Sequence, residues 1–173
     1  MTHSDPGVDA WKEHTSAFDR VRSVAQTVSE PRSVSWIAEK AAVSENTARG
    51  HLRRLVEMNV LLTFDRDGRT TYAPDPLHTR HQTLRELLDE YDHEGLIALK
   101  ESLQTQIETW RGEYGVAAPE ELRTLAADTE TAEETATVRR TANDWALTEY
   151  RLSIVEEAID NYTTYSRRGT ASA

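Results

Sequence analysis

Cysteine is absent from the 173 residues, which excludes disulfides, thiolate metal sites and thiol redox sensing. Lysine is scarce: Lys12, Lys40 and Lys100 are the only ones among 20 basic residues, set against 30 acidic ones for a net charge of −10. No apolar run reaches the roughly 18 residues a membrane span requires, and no charged-then-apolar leader opens the chain. A cytoplasmic location and no membrane partner are therefore expected. Also missing are a Gly-rich phosphate loop, a nucleophile elbow and a zinc motif, so no enzymatic chemistry, cofactor or metal is expected.

What is present centres on Ser33 to Pro74. Ser35 is expected to cap a short helix from about Ser35 to Ala42, followed by a turn at Val43-Ser44. Ser44 is placed to cap a second helix, about Glu45 to Met58, with its hydroxyl toward the N–H of Thr47. Ala48, Leu52, Leu55 and Val56 then fall on one buried stripe. Asn59 stands where a left-handed residue often ends a helix. Val60 to Phe64 reads as a strand, Asp65-Arg66-Asp67-Gly68 as a turn, and Arg69 to Ala73 as the return strand. Helix, turn, helix and hairpin in this order predict a winged helix-turn-helix, and hence a DNA-binding regulator.

The flanks are helical by spacing. Val8, Trp11, Phe18, Val21, Val24, Ala25 and Val28 predict a helix from Asp9 to Ser29, stopped before Pro31. Asp75 and Pro76 open another helix to about Tyr91, with Leu77, Leu84, Leu87, Leu88 and Tyr91 on its apolar side. Gly95 marks a break or bend near Asp92-His93-Glu94, after which Leu96, Leu99, Leu103, Ile107, Trp110 and Tyr114 form a coiled-coil-like stripe ended by Gly115. Pro119 starts a short helix through about Ala127, and a last long helix runs from Ala132 to Tyr165. The predicted fold class is mainly α with a small β-hairpin. Its organisation is a disordered N-terminus (1–8), a winged helix-turn-helix domain (9–75), a long α-helical dimerisation region (76–165) and a disordered tail (166–173).

The acidity is uneven. Residues 1–75 carry 10 basic and 11 acidic side chains, a net of −1, whereas residues 76–173 carry 10 and 19, a net of −9. Strong repulsion of nucleic acid is thus confined to the second part of the chain. A lysine-poor, acidic, cysteine-free composition suits a cytoplasm near salt saturation, where screening removes carboxylate repulsion; composition alone fits a halophilic archaeal source and an ordinary acidic protein equally.

With Ala48, Leu52 and Leu55 inward, the second helix exposes Glu45, Asn46, Arg49, Gly50 and Arg53. Asn46 suits adenine, Arg49 guanine and Glu45 cytosine, while Gly50 permits close approach to the bases. Ser44, Thr47 and Arg54 are placed for phosphates, and for Arg53 and Arg54 a solvated or salt-bridged side chain is an equal alternative. Arg66 and Arg69 flank the hairpin turn within reach of phosphates or a narrow minor groove. His51 is expected to pack or to touch phosphate. His78 and His81, with His93 beyond, read as solvated rather than metal-binding. Trp110, Tyr114, Trp145 and Tyr150 suit a helical core better than an effector pocket. An architectural chromatin protein, a ligand-gated sensor or an adaptor using the acidic helices are the alternative functions.

The segment VSENTARGHLRRLVEMNVL, residues 43–61, resembles the recognition-helix region of ArsR/MarR-type winged-helix transcriptional regulators. Trp11, IAEKAAVSENTARGHL, WRGEYG and ANDWALTEYRL together look like a haloarchaeal group of such regulators with a long helical C-terminal part. The resemblance implies a homodimer, a repressor by expectation, on a palindromic operator of double-stranded DNA. The expected dimer interface is Trp11, Leu96, Leu103, Ile107, Trp110, Trp145, Leu152, Val155 and Ile159. Metal sensors of that family use Cys-bearing motifs, which this chain lacks.

Overall fold

A computed structural model describes Gly7, Ala10, Trp11 and residues 14–166. Most of the expected disordered N-terminus and C-terminal tail lies outside these residues. Among the described residues the chain is mainly helical, with one small three-stranded antiparallel sheet. It divides into two compact units between His81 and Gln82. No helix among the described residues is long and apolar enough to cross a membrane.

In the first unit the helix expected over 9–29 is interrupted: Ala10, Trp11 and His14 are helical, Thr15 and Ser16 are not, and α1 then spans Ala17–Gln26. Ser16 is extended and its hydroxyl accepts from the N–H of Asp19 at 3.1 Å, so a local cap interrupts the helical spacing that begins earlier. Helix α2 is Val34–Lys40, capped by Ser33 rather than Ser35; the Ser33 hydroxyl accepts from the Trp36 N–H at 3.3 Å. Helix α3 is Glu45–Glu57, and Ser44 caps it as expected, accepting from Thr47 N–H at 3.1 Å.

Both α2 and α3 end in the same way. After α2, Ala42 is left-handed (φ 51), Val43 N–H donates to the Ala38 carbonyl and Ala42 N–H to that of Glu39. After α3, Asn59 is left-handed (φ 57), and Val60 and Asn59 donate to Leu55 and Val56. These paired bonds satisfy carbonyls that a helix end would otherwise leave bare.

The hairpin has strands β2 (Leu61–Arg66) and β3 (Arg69–Pro74), joined by Asp67 and Gly68, both at positive φ. That is the two-residue turn whose twist matches the strands, and Asp65 Oδ1 steadies it by accepting from Gly68 N–H at 3.1 Å. The third strand, β1 (Arg32–Ser33), pairs with Tyr72 and Thr71 of β3, giving the order β1-β3-β2 where only a two-stranded ribbon is predicted. A two-residue strand carries no alternation to read. Val21, Ala25, Ile37, Ala38, Ala48, Leu52, Leu55, Leu61 and Tyr72 form the core that joins the three helices to the sheet.

Helix α4 is Pro76–Glu90, with Asp75 Oδ1 accepting from Leu77 N–H at 2.8 Å. Leu77, predicted on its apolar side, is instead 78% exposed, because it lies in the first turn, a full two turns before the buried Leu84. In the second unit, α5 (His93–Tyr114) starts under Asp92, whose carboxylate accepts from Gly95 N–H at 2.8 Å, and stops at left-handed Gly115 (φ 65). The helical pattern is thus interrupted at Tyr91 and Asp92, where a break is expected, and Gly95 itself lies inside the first turn of α5. Helix α6 is Pro119–Leu125. Helix α7 is Ala132–Asp160, opened by a reciprocal capping box between Thr131 and Glu134. It ends five residues before the expected Tyr165; Asn161 leaves helical geometry, and Tyr162–Tyr165 forms a separate turn, α8.

Candidate nucleic-acid interface

Helix α3 is two-sided. Ala48, Leu52 and Leu55 are fully buried, while Glu45, Asn46, Thr47, Arg49, Gly50, Arg53 and Arg54 are exposed. Asn46, Arg49, Gly50 and Arg53 follow at i, i+3, i+4 and i+7, which is one continuous face of a helix. A Cβ built on Gly50 meets nothing within 4 Å, so no packing within the chain demands glycine there.

The hairpin adds Arg66 and Arg69. They are directly paired across the turn, so their side chains leave the ribbon on the same side, and both are exposed. Between α3 and the hairpin lies an open groove of about 430 Å³, lined by Glu45 and Arg49 on one side and by Gly68, Arg69 and Thr70 on the other. Its floor comes from Ser33, Val34, Ser35 and Tyr72. Sequence reading missed Ser33, Ser35 and Thr70 as groove residues. The signal for the two serines is their place beside β1, which exists only through pairing with β3.

Not every expected contact residue is equally available. The Arg54 guanidinium lies over the Phe18 ring at 5.2 Å, and His51 meets that ring edge-on at 5.6 Å. Both side chains help seat α3 against α1, so packing is the role the structure gives His51. Ser44 is occupied as a cap, its hydroxyl also 2.8 Å from that of Thr47. On the neighbouring surface Arg32 and Lys40 lie over Trp36, at 4.9 and 5.9 Å from its ring centre, and Arg32 also pairs with Glu30 at 2.7 Å.

Five of the nine residues expected at a dimer interface are buried in the core of the single chain. Leu96, Leu103, Ile107, Trp145 and Val155 are buried within the single chain, and Trp110, Leu152 and Ile159 are half-buried against the same clusters. The reason is that α7 folds back along α5 and covers the apolar stripe of α5 within the same chain. Trp110 and Trp145 stack at 6.1 Å between ring centres, which places them in this core rather than around a ligand cavity. Trp11 is half-buried, with the Arg20 guanidinium 5.8 Å from its ring. Among the described residues no group of three or more His, Asp or Glu side chains is arranged to hold a metal ion.

A family model matches residues 15–164, and the chain belongs to that family, a family of unknown function (DUF7342). No curated protein and no solved structure matches the chain.

Proposed function

We propose that this protein is a winged helix-turn-helix transcriptional regulator that binds double-stranded DNA as a homodimer and acts as a repressor. In this reading α3 is the recognition helix and the β2–β3 hairpin is the wing. The observation that carries it is the groove shared by Arg49 on the exposed face of α3 and Arg69 beside the hairpin turn. An exposed helix face of Asn46, Arg49, Gly50 and Arg53 has the width and donors to enter a major groove, where Asn reads adenine and Arg reads guanine. Arg66 and Arg69 then hold the adjacent phosphates or minor groove, and Thr47 steadies the helix on the backbone. A two-fold dimer presents two copies of α3, so the operator has two-fold symmetry with half-sites about 10–10.5 bp apart or a multiple of that.

The net charge of −10 does not oppose this reading, because the excess carboxylates lie in residues 76–173. They set the polarity of approach by repelling DNA from the helical part and leaving the near-neutral head to meet it.

Genome-wide occupancy of the wild type, compared with a folded Arg49→Ala, Arg53→Ala variant, tests the proposal. Sharp wild-type peaks over a two-fold motif, lost in the variant, support it. Diffuse wild-type occupancy indicates an architectural chromatin protein, and sharp peaks unchanged in the variant place the DNA-reading surface elsewhere. Deleting the gene should raise transcription next to the peaks if the protein represses.

A further inference from the structure

Helix α7 carries a second organised surface, outside the clusters that α4, α5 and α6 cover. Asp144, Leu147, Thr148 and Arg151 follow at i, i+3, i+4 and i+7, so they form one stripe along the helix. Leu147 is 65% exposed and the adjacent Tyr150 is 45% exposed. On one side of the stripe runs a groove of about 270 Å³, completed by Leu103 and Gln106 of α5. On the other side Tyr150 and Arg151 border a groove of about 320 Å³ against Glu86 and Glu90 of α4. A ridge with grooves beside it is the shape through which helices dock on one another.

The charges on this ridge are the telling feature. Nearby charged groups have partners: Lys100 pairs with Glu156 at 3.3 Å, and Glu149 accepts from the Trp145 indole N–H at 2.9 Å. The side chains of Asp144 and Arg151 have no hydrogen bond or ion pair among the described residues. Seven residues of helix separate them by about 10 Å along the axis, so they cannot pair with each other. The stripe therefore reads, in order, negative, apolar, positive. A surface of that pattern is its own complement when turned end to end. Under a two-fold axis, contacts are reciprocal, so each end of the stripe meets the opposite charge and the apolar centre meets itself.

We propose that this stripe is the surface through which the protein self-associates. The partner is a second copy of the chain, with the two α7 helices crossing antiparallel about an axis near Leu147. Asp144 then faces Arg151 of the partner subunit at both ends of the crossing, and Leu147 is buried at its centre. The proposal rests on the homodimer reading above and assigns to it a surface other than the buried stripe of α5.

The test is sedimentation equilibrium at micromolar protein, in the lowest salt at which circular dichroism shows the fold intact. The wild type should have twice the 19.6 kDa chain mass. Asp144→Arg and Arg151→Asp alone each place like charges at both ends and should raise the dissociation constant about tenfold or more. Mixing these two variants should restore a dimer, since each supplies the charge the other has lost; the doubly swapped Asp144→Arg, Arg151→Asp chain should also dimerise. Leu147→Glu should give folded monomers at any salt. A wild-type dimer that neither the charge variants nor Leu147→Glu weaken overturns this surface and leaves the homodimer reading standing. A monomeric wild type overturns both, while DNA binding by α3 is judged separately by occupancy.

Discussion

The Nε of Arg20 in α1 donates to the carbonyl oxygen of Ala41 at 3.0 Å, just past the end of α2. Its Nη1 donates to the Thr15 carbonyl at 2.6 Å, and the side chain is buried. One cation thus ties the start of α1 to the turn that aims α3. Removing it leaves two carbonyls without their donor and a space where the guanidinium lay. Arg20→Ala should cost about 2–3 kcal/mol of stability in denaturant titration. A loss below about 0.5 kcal/mol would show that water replaces the guanidinium at no cost.

Ala42 pays for a left-handed conformation that glycine adopts freely. Ala42→Gly should therefore stabilise the fold, by about 0.5–1 kcal/mol, although glycine elsewhere in a helix does the reverse. Thermal melting of the two proteins decides the sign; a lower midpoint for the variant would mean that the Ala42 methyl makes contacts worth more than the strain.

Gly50 separates stability from binding. A methyl there has open space, so Gly50→Ala should raise stability by about 0.5–1 kcal/mol through helix propensity. If the α3 backbone comes close to the bases at this point, the same change should weaken operator binding. A variant that is both more stable and equally tight would rule out close approach at residue 50.

The arginines should divide by role. Arg49→Ala should cost about 1–3 kcal/mol on the operator and relax sequence preference at one position in each half-site. Arg66→Ala and Arg69→Ala should weaken all sequences alike, each reducing the slope of log affinity against log salt by about one. Fluorescence anisotropy over a salt series, with operator and scrambled duplexes, measures both quantities. Equal losses on the two duplexes for Arg49→Ala would remove it from base reading.

The excess of carboxylates should make the stability of the fold depend on salt. With a net charge of −9 in residues 76–173 out of −10 in the whole chain, self-repulsion is strongest at low ionic strength and falls as the screening length shortens. Stability should rise between about 0.1 and 1 M salt, over which the screening length falls from about 10 to 3 Å. A flat or falling stability across that range would mean that the acidic side chains are spaced too widely to repel.

Local structure was legible because it is written in short-range hydrogen bonds and spacing. The Ser44 cap, the left-handed Asn59, the stop at Gly115 and the exposed face of α3 opposite Ala48, Leu52 and Leu55 each depend on residues within about four positions of one another. The same short reach misled where a local cap overrode periodicity, as at Ser16 and Asn161, and where one apolar residue fell outside the covered part of its helix, as at Leu77.

Sequence alone determined which stretches become helices and which faces of them are apolar, since period and capping residues act along the chain. Only tertiary structure decided what those faces meet. Arg32 and Ser33 become a strand because Tyr72 and Thr71 lie beside them, and this brings the serines to the floor of the groove that Arg49 and Arg69 share. Leu96, Leu103 and Ile107 form a stripe that would suit a partner chain, yet α7 of the same chain closes over it and leaves Leu147 outward. An apolar stripe specifies that it must be covered; which segment covers it depends on long-range chain closure, which spacing does not encode.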